Sequence, residues 1–146
     1  IIDAFERGDR AELLALTAPI YKKLLEENPF LTIMHFHTKK TKSFLRLHKP
    51  QKFADDLSSI RHMINKVNTL KTKQIGLEVG RYGIDYRLAL PVFNKAGKHL
   101  GAFEFGISIN YIFDLFSQEY NFTPLLLLKK ESFKEIFEKN IGMETK

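Results

Sequence analysis

The chain is 146 residues long, 44% hydrophobic and 27% charged, with a formal net charge of +6. That length suits one domain, and that composition a globular protein with a core rather than a disordered chain. Cysteine is absent, which excludes a disulfide framework, a thiolate zinc site and a cysteine nucleophile.

The N-terminal stretch sets the first expectations. Asp9-Arg10-Ala11-Glu12 has the capping-box pattern, and Leu13, Leu14, Tyr21, Leu24 and Leu25 follow at helical spacing. Residues 10–27 are therefore expected to form an amphipathic helix that Pro19 kinks or restarts after Thr17. Residues 1–7 read as the tail of a preceding helix, interrupted at Gly8, and Asn28-Pro29 ends the longer one. Residues 31–38 then alternate in polarity, as do 43–48, and a short polar segment joins the two runs into a predicted β-hairpin.

Further on, Phe53, Leu57, Ile60, Ile64 and Val67 recur at steps of 4, 3, 4 and 3. This predicts a second amphipathic helix with Asp55 and Asp56 in its first turn, where the helix dipole favours negative charge. Strands are expected over 73–80, 85–93 and 98–108, with turns at Tyr82-Gly83 and Asn94-Lys95-Ala96-Gly97. Asn110 is a candidate cap for a short helix through Phe116. Residues 125–128 suggest a last short strand, and Ser132-Phe133-Lys134-Glu135 is a second capping box, for a terminal helix. The order predicts an α+β fold: a five-stranded antiparallel sheet, a long N-terminal helix on one face and a helix after strand two.

The hairpin register decides which side chains share a face. With Lys40 and Thr41 as the central turn residues, one face carries Ile33, His35, His37, Phe44, Arg46 and His48. The other carries Thr32, Met34, Phe36, Leu45 and Leu47. The basic face is costly to bury unless something pairs with it. A carboxylate ligand gripped bidentately by Arg46 would serve. The alternatives are an open face, or an internal acid such as Glu78 or Glu104 on Arg46. Arg87 points away from the apolar side of its strand, Arg61 sits at the edge of the helical stripe, and Gly76, Gly80, Gly101 and Gly106 lie beside Glu78 and Glu104.

A metal site is a second reading, built on the His35-x-His37 pair with His48. No carboxylate follows at the spacing of a cupin-type site, so neither metal nor cofactor is expected. Catalytic signatures are missing as well: no phosphate loop, no Gly-x-Ser-x-Gly and no His-Glu-x-x-His occurs in the sequence. An enzyme is not expected. The lysines fall on expected loops and helix faces, with no helix-turn-helix or RNP-like pattern, so a nucleic-acid partner is not expected either.

The runs Met34-His35-Phe36-His37, Ser43-Phe44-Leu45-Arg46-Leu47-His48-Lys49-Pro50 and Phe53-Ala54-Asp55-Asp56-Leu57 with Arg61 resemble the Cache sensory domains of methyl-accepting chemotaxis proteins and related sensor kinases. So do Gly76-Leu77-Glu78-Val79-Gly80-Arg81, Arg87, Pro91-Val92-Phe93 and Gly101-Ala102-Phe103-Glu104-Phe105-Gly106. The resemblance covers about residues 10–130. It implies a PAS-like fold in one sensor domain over 1–146, and a periplasmic location between membrane helices that lie outside this chain. It also implies a homodimer in the full receptor and functional positions at His37, Arg46, His48, Arg61 and Arg87. Lys39-Lys40-Thr41 replaces the Pro-Asp-Gly type of turn usual there, and Ala54 stands where glycine is common. Together with Phe44, Glu78 and Glu104 from the faces described above, these residues make the candidate site for a small-molecule ligand, a carboxylate by its charge.

Overall fold

A computed structural model describes residues 1–80, 83–127 and 129. Helices α1 (Ile2–Arg7) and α2 (Arg10–Glu27) come first, then strands β1 (Leu31–Thr38) and β2 (Ser43–Arg46) and helix α3 (His62–Leu70). Strands β3 (Gln74–Gly80), β4 (Gly83–Phe93) and β5 (His99–Ser108) follow, and α4 (Ile109–Tyr120) succeeds them. The sheet is five-stranded in the order β2-β1-β5-β4-β3, and every neighbouring pair is antiparallel.

Local chemistry places most of these boundaries where the sequence does. Gly8, at φ 72, ends α1 in the left-handed conformation that glycine adopts without a Cβ penalty. Asp9 accepts from the Glu12 N–H at 2.9 Å and starts α2. Helix α2 runs from Arg10 to Glu27 through Pro19 and does not restart after Thr17. Helix α4 begins one residue before the expected Asn110 cap, because Ser108 Oγ accepts the Asn110 N–H. Residues 125–127 join no ladder, and Leu125 and Leu127 stand exposed, so the expected last strand does not form there. Leu128, the turn residue Tyr82 and the second capping box lie outside the described residues. Among those described, no helix is long and apolar enough to cross a membrane.

The largest departure concerns residues 53–61. The helical stripe from Phe53 to Val67 is helix only from His62 onward. Ala54 takes a positive φ of 67, and the segment lies along the hairpin instead: Ala54 N–H donates to Ser43 O, Ser43 N–H to Asp55 O and Leu57 N–H to Thr41 O. Asp56 does not cap a helix; it accepts from Ser58 N–H and Oγ–H at 2.9 and 2.7 Å. Helical spacing of apolar residues was coincidental there, since Leu57 is buried by the hairpin contact whereas Phe53 is largely exposed beneath the Arg10 guanidinium.

Each sheet face has its own core. On the α1–α2 side, Ala4, Phe5 and Leu13 pack on Val92 of β4 and on Met34, Phe36, Leu45 and Leu47, from the apolar hairpin face that the alternation predicts. On the other side, α3 seats Ile64 and Val67 on Ala89 and Ala102. Those two small residues let the helix backbone approach the strands closely. The segment 47–61 and α3 thus roof one face of the sheet, and the charged residues lie beneath.

Candidate functional site

Two irregularities decide which side chains enter that space. The first is a bulge in the β1–β2 ladder: His35 pairs with Arg46 and Phe36 with Leu45, but His37 pairs with Ser43 rather than with Phe44. The turn is responsible. Thr41 N–H donates to Thr38 O, Thr38 N–H donates to Lys42 O, and Thr41 adopts φ 56, so three residues rather than two form the loop. Phe44 consequently rotates to the apolar face, with its ring 5.1 Å from that of Phe5. It is removed from the candidate site. Ser43 takes its place, within 2.9 Å of His35 Nε2.

The second bulge lies between Leu31 and Ile33 in the β1–β5 ladder. It frees Thr32 from the apolar face expected for it. The hydroxyl reaches Asp85 Oδ1 at 2.9 Å instead.

Between the sheet and its roof, the strands bring together His35, His37, Arg87 and Glu104, and the roof adds Arg61. Glu104 is fully buried and lies at the centre. His37 Nε2 stands 2.7 Å from Glu104 Oε2, while Arg87 Nη1 stands 2.6 Å from Oε1 and Arg61 Nη2 also contacts Oε1. Arg61 Nε lies 2.9 Å from Glu78 Oε2, and Arg87 Nη2 lies 2.8 Å from Asp85 Oδ2. Glu78 also accepts the Met63 N–H at 2.9 Å, which fixes the first turn of α3.

Arg46 is paired separately at the rim. Its two terminal nitrogens grip both carboxylate oxygens of Asp55 at 2.7 Å each, and Nη1 also donates to Lys52 O at 2.7 Å. This is the bidentate geometry expected of a ligand carboxylate, supplied by a side chain of the roof. His48 is exposed, with its ring 6.2 Å from that of His35, so it borders the cluster without joining its hydrogen bonds.

Electrostatics follow from burial. Burial pushes the His35 imidazole well below its ordinary value, and His37 beside it adds to the effect. His37 is lowered too, since its burial outweighs the attraction of Glu104. Burial alone would raise the Glu104 carboxyl, but Arg61, His37 and Arg87 together hold it well below the usual carboxylate range. The site therefore contains two neutral imidazoles around an ionised carboxylate. Asp55 is also lowered, chiefly by its hydrogen bonds from Arg46.

Seven of the eight candidate residues thus fall in or on the edge of one cluster: His37, Arg46, Arg61, Glu78, Arg87 and Glu104, with His48 at its border; Phe44 alone lies on the other face. Asp55 was the principal residue missed as a partner, because its place beside another Asp reads as a helix start. The signal that could have found it was Ala54, which stands before it where glycine is common and signals a positive-φ turn. The basic face is also less basic than its strand pattern suggests, since Arg46 and His37 have internal acids in Asp55 and Glu104.

A family model described as the double sensory domain of two-component sensor kinases matches residues 1–146, and the chain belongs to that family. Among solved structures, the extracellular domain of a protein described as the histidine kinase vpHK1S-Z8 is similar at 15% identity and a TM-score of 0.57, over 77% of this chain and 46% of that one. A domain of a protein described as a sensory box/GGDEF family member from Vibrio parahaemolyticus is similar at 15% identity and a TM-score of 0.57, over 77% of this chain and 49% of that one. The chain therefore spans about half the length of these solved domains, and at such identity the likeness shows the fold alone. No curated protein matches the sequence.

Proposed function

We propose that this member of the double sensory domain family is an extracytoplasmic, periplasmic ligand-sensing module of a bacterial membrane receptor, and that it senses a small carboxylate through Arg46. The observation that carries the reading is the Arg46–Asp55 fork, with both oxygens at 2.7 Å at the rim of an otherwise closed cluster. Asp55 acts as an internal stand-in for the ligand. A carboxylate from solution competes with it for the same guanidinium.

The exchange has a structural consequence. The Asp55 carbonyl accepts the Ser43 N–H, and its neighbour Ala54 donates to Ser43 O, so displacing the Asp55 side chain loosens the roof from β2. The opposite face of the same hairpin holds Phe44 and Leu45 against α1 and α2. A change in the roof is thereby coupled to the packing of the N-terminal helices, through which the receptor would signal to a kinase or a chemotaxis array. Signalling requires that the ligand bind one helix arrangement better than the other.

A panel of short organic acids titrated calorimetrically into the protein tests this. Binding that disappears in Arg46→Ala supports it, and equal weak heats for both proteins refute it. A ligand-free dimerisation or docking module is the second reading, favoured by the internal pairing of Arg61 and Arg87. It predicts no thermal shift with any small molecule.

A further inference from the structure

We infer that His35, His37 and Glu104 form a binding site for a divalent transition-metal ion of the zinc class. One donor atom from each of the three lies within 4.8 Å of the other two, and all three residues are buried. Rigid positions present them. His35 and His37 are two residues apart on one face of β1, with ring centroids 3.7 Å apart, and Glu104 stands directly across from His35 on β5.

The donor set suits such an ion. Imidazole nitrogen and carboxylate oxygen bind zinc at about 2.0–2.2 Å, which sets donors on one tetrahedral ion about 3.4 Å apart, so the widest pair must close by at most about 1.4 Å and the His37–Glu104 pair must open slightly. The cations of the cluster are the guanidinium groups of Arg61 and Arg87, and both sit on Glu104 Oε1, so Oε2 is the oxygen left to an ion. Glu104 as a carboxylate can only accept, so His37 Nε2 carries the proton between them, and an ion held by both residues takes the place of that proton and releases it.

Charge defines the kind of site. Arg61 and Arg87 face three carboxylates, Glu78, Glu104 and Asp85, a surplus of one negative charge, so a dication enters with half its charge unmatched. Three protein donors also leave a fourth position open, in contrast to the closed four-ligand set of a structural zinc. An anion at that position would lower the net charge, and the site is accordingly one that takes metal together with a small anion. Its donors are separate from the Arg46 fork, so the metal and the carboxylate readings fail independently.

Zinc titrated calorimetrically into the chelator-stripped protein, without any organic acid, tests the site, with Co²⁺ and its visible absorption as a second probe. The expected result is one equivalent bound, lost in His35→Asn and retained in His48→Asn, with near-ultraviolet circular dichroism reporting that each variant is folded. Absence of stoichiometric binding of either ion to the native sequence overturns the proposal. Binding that survives His35→Asn, or that disappears in His48→Asn instead, overturns it equally.

Discussion

Arg87 and Glu104 meet diagonally across adjacent strands with Nη1 2.6 Å from Oε1, at 2% and 0% exposure. The pair is one limb of a network in which the same carboxylate also binds Arg61 and His37. A charge in such surroundings is tolerated only because it is matched, so removing the central member costs far more than a surface ion pair would.

Glu104→Gln therefore leaves two buried guanidinium groups short of a counter-charge. The expected loss is about 3–5 kcal/mol of stability, read from denaturant unfolding. Lys98→Ala, which breaks only the exposed contact with Glu6, should change stability by less than about 1 kcal/mol.

Stability should depend on pH in two windows. His35 and His37 bind protons more weakly when folded than at their ordinary value of 6.5. Below that value the unfolded chain takes up protons that the fold refuses, so stability is full above 6.5 and declines as pH falls beneath it. Glu104 adds a second decline below its ordinary 4.5, completed only as pH falls through its lowered folded value. Unfolding measured against pH in chelator-containing buffer checks both. In His37→Asn the upper decline should become shallower.

Gly101 offers a steric prediction. A Cβ there would lie 2.1 Å from the His37 carbonyl oxygen, at a φ of 151 that side chains rarely adopt. Gly101→Ala must push β5 from β1 and is expected to cost about 3 kcal/mol. Gly97→Ala meets no atom within 4 Å and carries only the left-handed backbone penalty, about 1 kcal/mol. Thermal unfolding of the two variants separates close approach from conformational cost.

Much of the fold was legible because the strands alternate cleanly. Met34, Phe36, Leu45 and Leu47 fall on the buried face that alternation assigns them, and Asp9 caps α2 as its spacing suggests. Departures occur where a single residue breaks a period. The extra residue at Phe44 and the bulge at Thr32 each turn a side chain over, and Lys39-Lys40-Thr41 contains no Asn-Gly or Asp-Gly to announce the turn.

The site was legible as a set of residues but not as a set of pairs. His37 and Glu104 become partners only because β5 lies between β1 and β4, a sheet order that no local pattern encodes. Asp55 became a partner of Arg46 because residues 53–61 follow the hairpin instead of forming a helix, a choice made by tertiary hydrogen bonds to Ser43 and Thr41.

The central claim is that Asp55 occupies the place of a ligand carboxylate on Arg46. It is tested most directly by titrating the organic acid that binds the native protein best into Arg46→Ala and Asp55→Asn in parallel. The account predicts opposite effects. Arg46→Ala should abolish binding, whereas Asp55→Asn, which removes the internal competitor, should tighten it by about 10-fold, equivalent to ~1.4 kcal/mol. Equal weakening in both variants would contradict the claim and make the pair a structural one.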